Sequence, residues 1–252
     1  MLSSLRLIAR YLAATLFSAG LYTAGLLATD KAPNMEIASM EIPFAYERNG
    51  TGVYNKIFDK LTEGYTGELN VSFYPSARYD RVMISRSADC DYIATDHLGR
   101  WEEHGVKAEE FEFIGPVNTL YVVLYIPHDA PDITTIEEVK KLVLASDINL
   151  VDLIHDLGIQ EKFALQSQPQ MLNLLAIRRI TGLIGYDFDL DFLSKKLGVS
   201  GLMKKATIRL DSLNDGIVCF KNEKTAPFRN LLKSNFKKIQ SSGWLKDALK
   251  DY

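Results

Sequence analysis

The sequence predicts an α/β protein in which mixed, mostly parallel sheets are flanked by helices. Three observations carry that expectation. Short apolar runs alternate with amphipathic stretches from Met35 onward; the alternation starts afresh after a central breaker cluster; and the 252 residues are 47% hydrophobic and 24% charged, an ordinary globular balance.

The first unit reads in order. "MEIASME" is a strand, and "GVYNKIFDKL" is a helix in which Val53, Ile57 and Leu61 recur every fourth residue. "ELNVSFY" alternates as a strand, "SARYDRVMIS" is helical, and "CDYIA" is a strand. This unit extends to about Phe113. The long apolar strand "TLYVVLYI" is closed by the breaker cluster "PHDAPD".

A second unit then spans about Leu120 to Asp215. "TTIEEVKKL" is helical, "LVLA" a strand, and "NLVDLIHDLG" a helix that Gly158 ends. "QPQMLNLLAIRR" and "ITGLIGY" add a helix and a strand, and "FLSKKLG" a further helix that Asp189 or Asp191 would cap. The strand "GIVCF" and the helices "APFRNLLKSNFKKIQ" and "WLKDALKDY" close the chain. No low-complexity linker separates the units, so crossing strands are expected to join them. The units echo each other: each runs helix, basic residue (Arg86; Arg178 and Arg179), tight turn, apolar strand, then an aspartate (Asp96; Asp187) at the strand's C-terminal end, where open α/β sheets bind ligands.

Residues 1–28 differ from the rest. Arg6 and Arg10 precede an uncharged run from Tyr11 to Ala28, the pattern of a secretory signal peptide, with an uncleaved N-terminal anchor as the alternative. The formal net charge is −3, and cleavage would remove two arginines more. An acidic chain without a basic block argues against nucleic acid as a partner. Cys90 and Cys219 are the only cysteines; in an exported protein they are compatible with one disulfide or with two buried free thiols.

Catalytic and metal motifs find little support. "DCD" at Asp89–Asp91 has only His97 nearby, too few ligands for zinc, and reads as a polar turn feeding a buried strand. "DFDLD" starts like a calcium loop but has Phe192 where glycine is required and Gly198 where the bidentate glutamate is required. No GxSxG elbow, Walker loop or GxGxxG fingerprint is present. No metal and no cofactor is expected. What remains is a set of polar and aromatic residues at loop positions facing a cleft: Glu41, Tyr46, Arg78, Thr95, Asp96, Ser146, Asp147, Asn149 and Asp187. Arg78, at a helix start, offers a guanidinium suited to a carboxylate or phosphate. Ser146, Asp147 and Asn149 precede a helix, where they would cap it or where its free N–H groups receive an anionic group.

With these elements in order, the chain resembles the extracellular solute-binding proteins of the bacterial polar amino-acid family, type II periplasmic binding proteins. The resemblance rests on "IPFAYERNGTGVYNKIFDKL", "RVMISRSADCDYIA", "QMLNLLAIRRITGLIGYD" and "FRNLLKSNFKKIQSSGWLKDALKDY" in that order and spacing, and covers nearly all of the chain after residue 28. It implies a two-lobed type II periplasmic-binding-protein fold, with residues 29–118 and 217–252 in lobe 1, residues 119–216 in lobe 2, and hinge strands crossing between them. It implies a monomeric, non-catalytic periplasmic protein that captures a small polar ligand, an amino acid or a related amine or carboxylate, for a membrane ABC permease. Sensing for a membrane receptor and a dehydratase-like enzyme on the same fold are the alternatives.

By the same resemblance, Glu41 and Tyr46 fall in the first ligand loop, Thr95 at a lobe-1 contact, Ser146 and Asp147 at a lobe-2 helix N-terminus, and Asp187 at the acid that often holds an α-amino group. The family's lobe-1 arginine, which clamps an α-carboxylate, has no clear match in "GRWEEHGVKAEEFEFIGPV"; Arg100 aligns poorly, and Arg78 is the candidate substitute.

Overall fold

The computed structural model describes residues 31–250, apart from the side chains of Ser76 and Ala77. The segment read as a signal peptide or anchor lies outside them. In the first lobe, β1 (Met35–Ser39) pairs in parallel with β2 (Leu69–Phe73) on one side and β3 (Cys90–Thr95) on the other. The connections are α1 (Val53–Thr62) and α2 (Ser76–Ile84). The second lobe repeats the scheme: β5 (Leu144–Asp147) lies between β6 (Phe163–Leu165) and β7 (Gly182–Tyr186), both parallel to it. Its helices are α3 (Ile136–Val139), α4 (Val151–Asp156), α5 (Gln168–Ala176) and α6 (Asp187–Lys196).

Two long antiparallel strands, β4 (Phe111–Pro127) and β8 (Met203–Phe220), join the halves into one eight-stranded sheet of order β2-β1-β3-β8-β4-β7-β5-β6. Pairing is therefore parallel in both wings and antiparallel at the centre. This is the two-lobed type II periplasmic-binding architecture that the sequence predicts. Each lobe buries two apolar clusters: one set gathers around Tyr54, Ile57, Tyr92 and Phe228 and around Met83, Trp101 and Phe111, the other around Met171, Leu175 and Leu183 and around Leu124, Leu144 and Ile154.

After the second lobe the chain returns to the first. In α7 (Ala226–Ser241), Phe228, Leu232, Asn235 and Ile239 form one buried stripe. The Asn235 amide donates to the carbonyls of Leu61 (3.0 Å) and Glu63 (2.8 Å), satisfying the open end of α1. A last helix, α8 (Trp244–Leu249), contributes Leu245 to the same cluster. Among the described residues no helix is long and apolar enough to cross a membrane.

The internal echo has a backbone cause. Arg86 and Arg178 both take left-handed conformations, φ 56° and 61°, just after α2 and α5. The following N–H groups reach back five residues, Ser87 to Val82 (2.9 Å) and Arg179 to Leu174 (2.9 Å), closing each helix with a Schellman turn usually made by glycine. Gly158 ends α4 in the same way, as expected. Each arginine is held outside the turn: Arg86 by Glu110 and the Phe220 ring, Arg178 by Asp129.

Four local expectations change. The helix over "TTIEEVKKL" shrinks to Ile136–Val139. The helix expected at "FLSKKLG" begins five residues earlier, at Asp187, so neither Asp189 nor Asp191 caps it; the cap is Tyr186, without a side-chain bond. The strand at "TLYVVLYI" is the second half of β4, and "GIVCF" only the end of β8. The first half of β8, "MKKATIRLDSLND", alternates Ala206, Ile208 and Leu210 on the packed face with exposed Thr207, Arg209 and Asp211, a strand signal that the flanking lysines and polar residues interrupt.

Cys90 and Cys219 stand directly opposite each other in the β3–β8 ladder and form a disulfide across a sequence separation of 129 residues. The free-thiol alternative is thereby excluded: antiparallel pairing brings together two cysteines that sequence spacing leaves unrelated. Asp89 beside them accepts from the Glu36 N–H (2.9 Å) and from Lys224 Nζ (2.6 Å), locking the turn into β3. Replacing both cysteines with alanine is expected to lower the unfolding free energy by about 2–5 kcal/mol. Urea denaturation with and without reductant reads this directly, and an unshifted midpoint for the double variant would contradict it.

Candidate functional site

The C-terminal ends of all six parallel strands open on one cleft of about 1150 Å³. Met40 and Glu41 follow β1, Tyr74 follows β2, Thr95 ends β3, Asp147 ends β5, Gln166 follows β6 and Tyr186 ends β7. Residues of the crossing strands, among them Leu120, Asp211 and Leu213, form its back.

The loop after β1 is tightly built. Ile42 and Tyr46 exchange backbone bonds of 3.0 and 2.9 Å, and Phe44 between them is left-handed at φ 64°. Gly52 has to be glycine, since a Cβ there would meet the Ala45 carbonyl oxygen at 1.9 Å. The Asn55 side chain accepts from the N–H groups of Gly52 and Glu47, pinning the loop to α1. Glu41 lines the cleft and pairs with Arg48 Nε at 3.0 Å.

On the same lobe, Arg100 sits on the 3-10 helix Leu98–His104 and points its guanidinium at two groups of β3. Its Nη2 donates to the fully buried Asp91 (2.9 Å), its Nη1 to Thr95 Oγ1 (3.0 Å), and its plane lies 4.1 Å from the Trp101 ring centre. Burial pushes the Asp91 carboxyl up to about 8, with Arg100 opposing the rise.

The second lobe presents Asp147 and Asp189. Asp147 is 5% exposed and accepts from the Asn149 N–H and side-chain amide, both at 2.9 Å, so it caps the short turn that leads into α4. Asp189, 7% exposed, accepts from Gln168 Nε2 (3.3 Å). Burial raises Asp147 to about 6 and Asp189 to about 7; the charge of Asp147 adds to the rise at Asp189. Tyr186 beside them is pushed up by burial and then by both acids.

Of the residues expected at the site, Glu41, Thr95, Asp147 and Asn149 line the cleft. The structure places the other five elsewhere. Tyr46 is 2% exposed, its ring 5.0 Å from both Phe73 and Tyr92 in the core, because the tight loop turns it inward. Asp96 binds the Asn214 N–H (3.1 Å) and amide (2.8 Å), tying the end of β3 to β8. Ser146 is wholly buried, with an Oγ that lacks a hydrogen-bond partner. Arg78 is exposed and outside the lining.

Asp187 accepts from the N–H groups of Tyr121 (3.1 Å) and Phe188 (2.8 Å), which fixes α6 to β4. Because α6 starts at Asp187, Asp187 and Asp189 lie roughly 200° apart around the helix axis, and only Asp189 reaches the cleft. An earlier helix start was the signal that would have exchanged them. Arg48 and Arg100 line the cleft, and Arg78 does not. Tyr79, Gln168 and Asp211, which carried no sequence signal, are also among the polar residues of the lining.

Comparison with known proteins finds no protein-family model and no curated protein that matches the sequence. Solved structures do match in fold. The glutamate-bound ligand-binding core of GluR0 from Nostoc punctiforme aligns with a TM-score of 0.70 at 14% identity, over 85% of this chain and 96% of that one. The arginine-bound substrate-binding protein AbpA of an amino-acid ABC transporter from Streptococcus pneumoniae gives 0.68 at 14% identity, over 87% and 95%. A histidine kinase sensor domain with similarity to periplasmic binding proteins gives 0.68 at 11% identity, over 87% and 95%.

The raised carboxyls have a consequence for stability. A group whose folded pKa exceeds its unfolded value contributes stability that is complete at low pH and is lost as pH rises through the folded value. Without ligand, Asp147, Asp189 and Asp91 should therefore make the protein less stable between about pH 4 and pH 8. Asp189→Asn removes its share. Urea denaturation should find the variant more stable than the parent by roughly 2–4 kcal/mol at pH 8 and nearly equal at pH 4; identical profiles would show that Asp189 does not carry the shift.

Proposed function

We propose that this chain is a non-catalytic, periplasmic solute-binding protein that captures a small polar ligand in its interlobe cleft, an amino acid or a related amine or carboxylate, and passes it to a membrane ABC importer. The observation that carries this reading is the cleft: its walls come from loops of both halves, at the C-terminal ends of the parallel strands, and they present charged groups from both sides. The fold shared with the GluR0 core and with the AbpA protein supports it. On this reading residues 29–118 with 217–252 form one lobe and 119–216 the other, closing on the ligand about β4 and β8. Glu41, Thr95, Asp147 and Asn149 contact it, joined by Arg100, Tyr186 and Asp189.

A dehydratase would need a poised acid in the cleft, and neither Asp187 nor Glu41 is free for that role. Asp187 bonds the backbone of β4, and Glu41 is engaged with Arg48. A thermal-shift panel of amino acids, amines and small carboxylic acids is the direct test. At least one compound is expected to raise the melting temperature by several degrees, to shrink the radius of gyration in solution scattering, and to be recovered unchanged. Turnover of the stabilising compound would overturn the non-catalytic reading.

A further inference from the structure

Two carboxylates in the cleft are buried without a counter-ion. Asp147 and Asp189 are each more than nine-tenths buried. Among the described residues neither has an ion-pair partner: what acts on them is burial, the amides of Asn149 and Gln168, and neighbouring carboxylates. A buried anion of this kind is costly unless a cation joins it. The cleft itself cannot supply one, because its two guanidiniums are already bonded, Arg48 to Glu41 at 3.0 Å and Arg100 to Asp91 at 2.9 Å and Thr95 at 3.0 Å.

The charge balance of the whole lining points the same way. The first lobe contributes Glu41, Glu47 and Asp80, the second Asp147, Asp152, Asp156 and Asp189, and β8 contributes Asp211. These eight carboxylates face two arginines, so the cleft attracts cations and repels a ligand carboxylate. An independent feature points to a polar ligand group: Tyr79, which lines the same cleft at 5% exposure, has a hydroxyl with no partner, able to accept from an ammonium N–H as well as to donate. Between the polar groups run Leu120, Leu153, Leu210 and Leu213, an apolar surface suited to methylene chains.

We infer that the cleft takes an elongated aliphatic cation with two or more ammonium groups and no carboxylate, one ammonium seated against Asp147 and Asp189 as their missing counter-ion. This rests on the solute-binding reading and narrows its ligand. The acids on the first lobe and on α4 hold the remaining ammonium groups, and the leucines cover the chain between them. An α-carboxylate would have to share a guanidinium that already serves Glu41 or Asp91, which sets this cleft apart from one with an arginine given over to the ligand.

The test uses compounds that differ only by that carboxylate: lysine against cadaverine and arginine against agmatine, with putrescine and spermidine alongside, measured by titration calorimetry on the purified chain. The decarboxylated member of each pair is expected to bind at least tenfold tighter. Asp147→Asn and Asp189→Asn are each expected to weaken amine binding at least tenfold, with urea denaturation confirming that both variants are folded. Equal or tighter binding of lysine and arginine, or unchanged amine affinity in both variants, overturns the inference and leaves the solute-binding reading standing. If no amino acid, amine or carboxylic acid binds, that reading falls with it.

Discussion

The pairing of β4 with β8 is the constraint on which the rest of the molecule depends. Its register runs from Phe111 opposite Phe220 to Pro127 opposite Met203, so one ladder reaches β3 of the first lobe and β7 of the second. Midway the register breaks between Ile114 and Asn118, opposite Asp215 and Gly216. There the wholly buried Asp215 accepts from the Asn118 N–H (2.6 Å) and the Tyr54 hydroxyl, linking the break to α1. Gly216 is required at this point, since a Cβ would stand 2.5 Å from the Ile114 carbonyl oxygen. The register shifts again on either side of Val123, so the ladder is interrupted at more than one point along its length.

That connection also sets the electrostatics of the cleft. Six strand ends from the two wings of the sheet converge, and each brings its own acid or polar loop. In the first lobe two acids have arginine partners, Glu41 with Arg48 and Asp91 with Arg100, while Glu47 and Asp80 have no ion pair among the described residues. In the second lobe Asp147 and Asp189 meet only amides. The buried acids of the second lobe are thus without a cationic partner among the described residues, and burial holds their carboxyls at about 6 and about 7.

Much of the fold was legible because its elements announce themselves through periodicity. The helix Val53–Thr62 and the strand Cys90–Thr95 lie within a residue or so of their expected bounds, since each has one clean apolar face. The repeated helix–arginine–strand pattern corresponded to a real repeat, the Schellman turns at Arg86 and Arg178. The front half of β8 was harder to see, because the alternation of Ala206, Ile208 and Leu210 with Thr207, Arg209 and Asp211 is short and is flanked by Lys204, Lys205 and the polar run after Leu210. The site was legible in part. Loop position was enough to find Glu41, Thr95, Asp147 and Asn149, but it could not separate Asp187 from Asp189, whose directions turn on where α6 begins.

The sequence by itself determined the α/β class, the order of elements and the strand ends at which the cleft opens, because these follow from local periodicity and from the directionality of parallel strands. The tertiary structure alone decided which side chains face the cleft and which cysteines meet. Tyr46 turned into the core, Arg48 and Arg100 lined the cleft where Arg78 did not, and Cys90 met Cys219 across 129 residues. The physical reason is common to all three: side-chain direction and long-range register depend on how distant segments pack, and no local pattern encodes that.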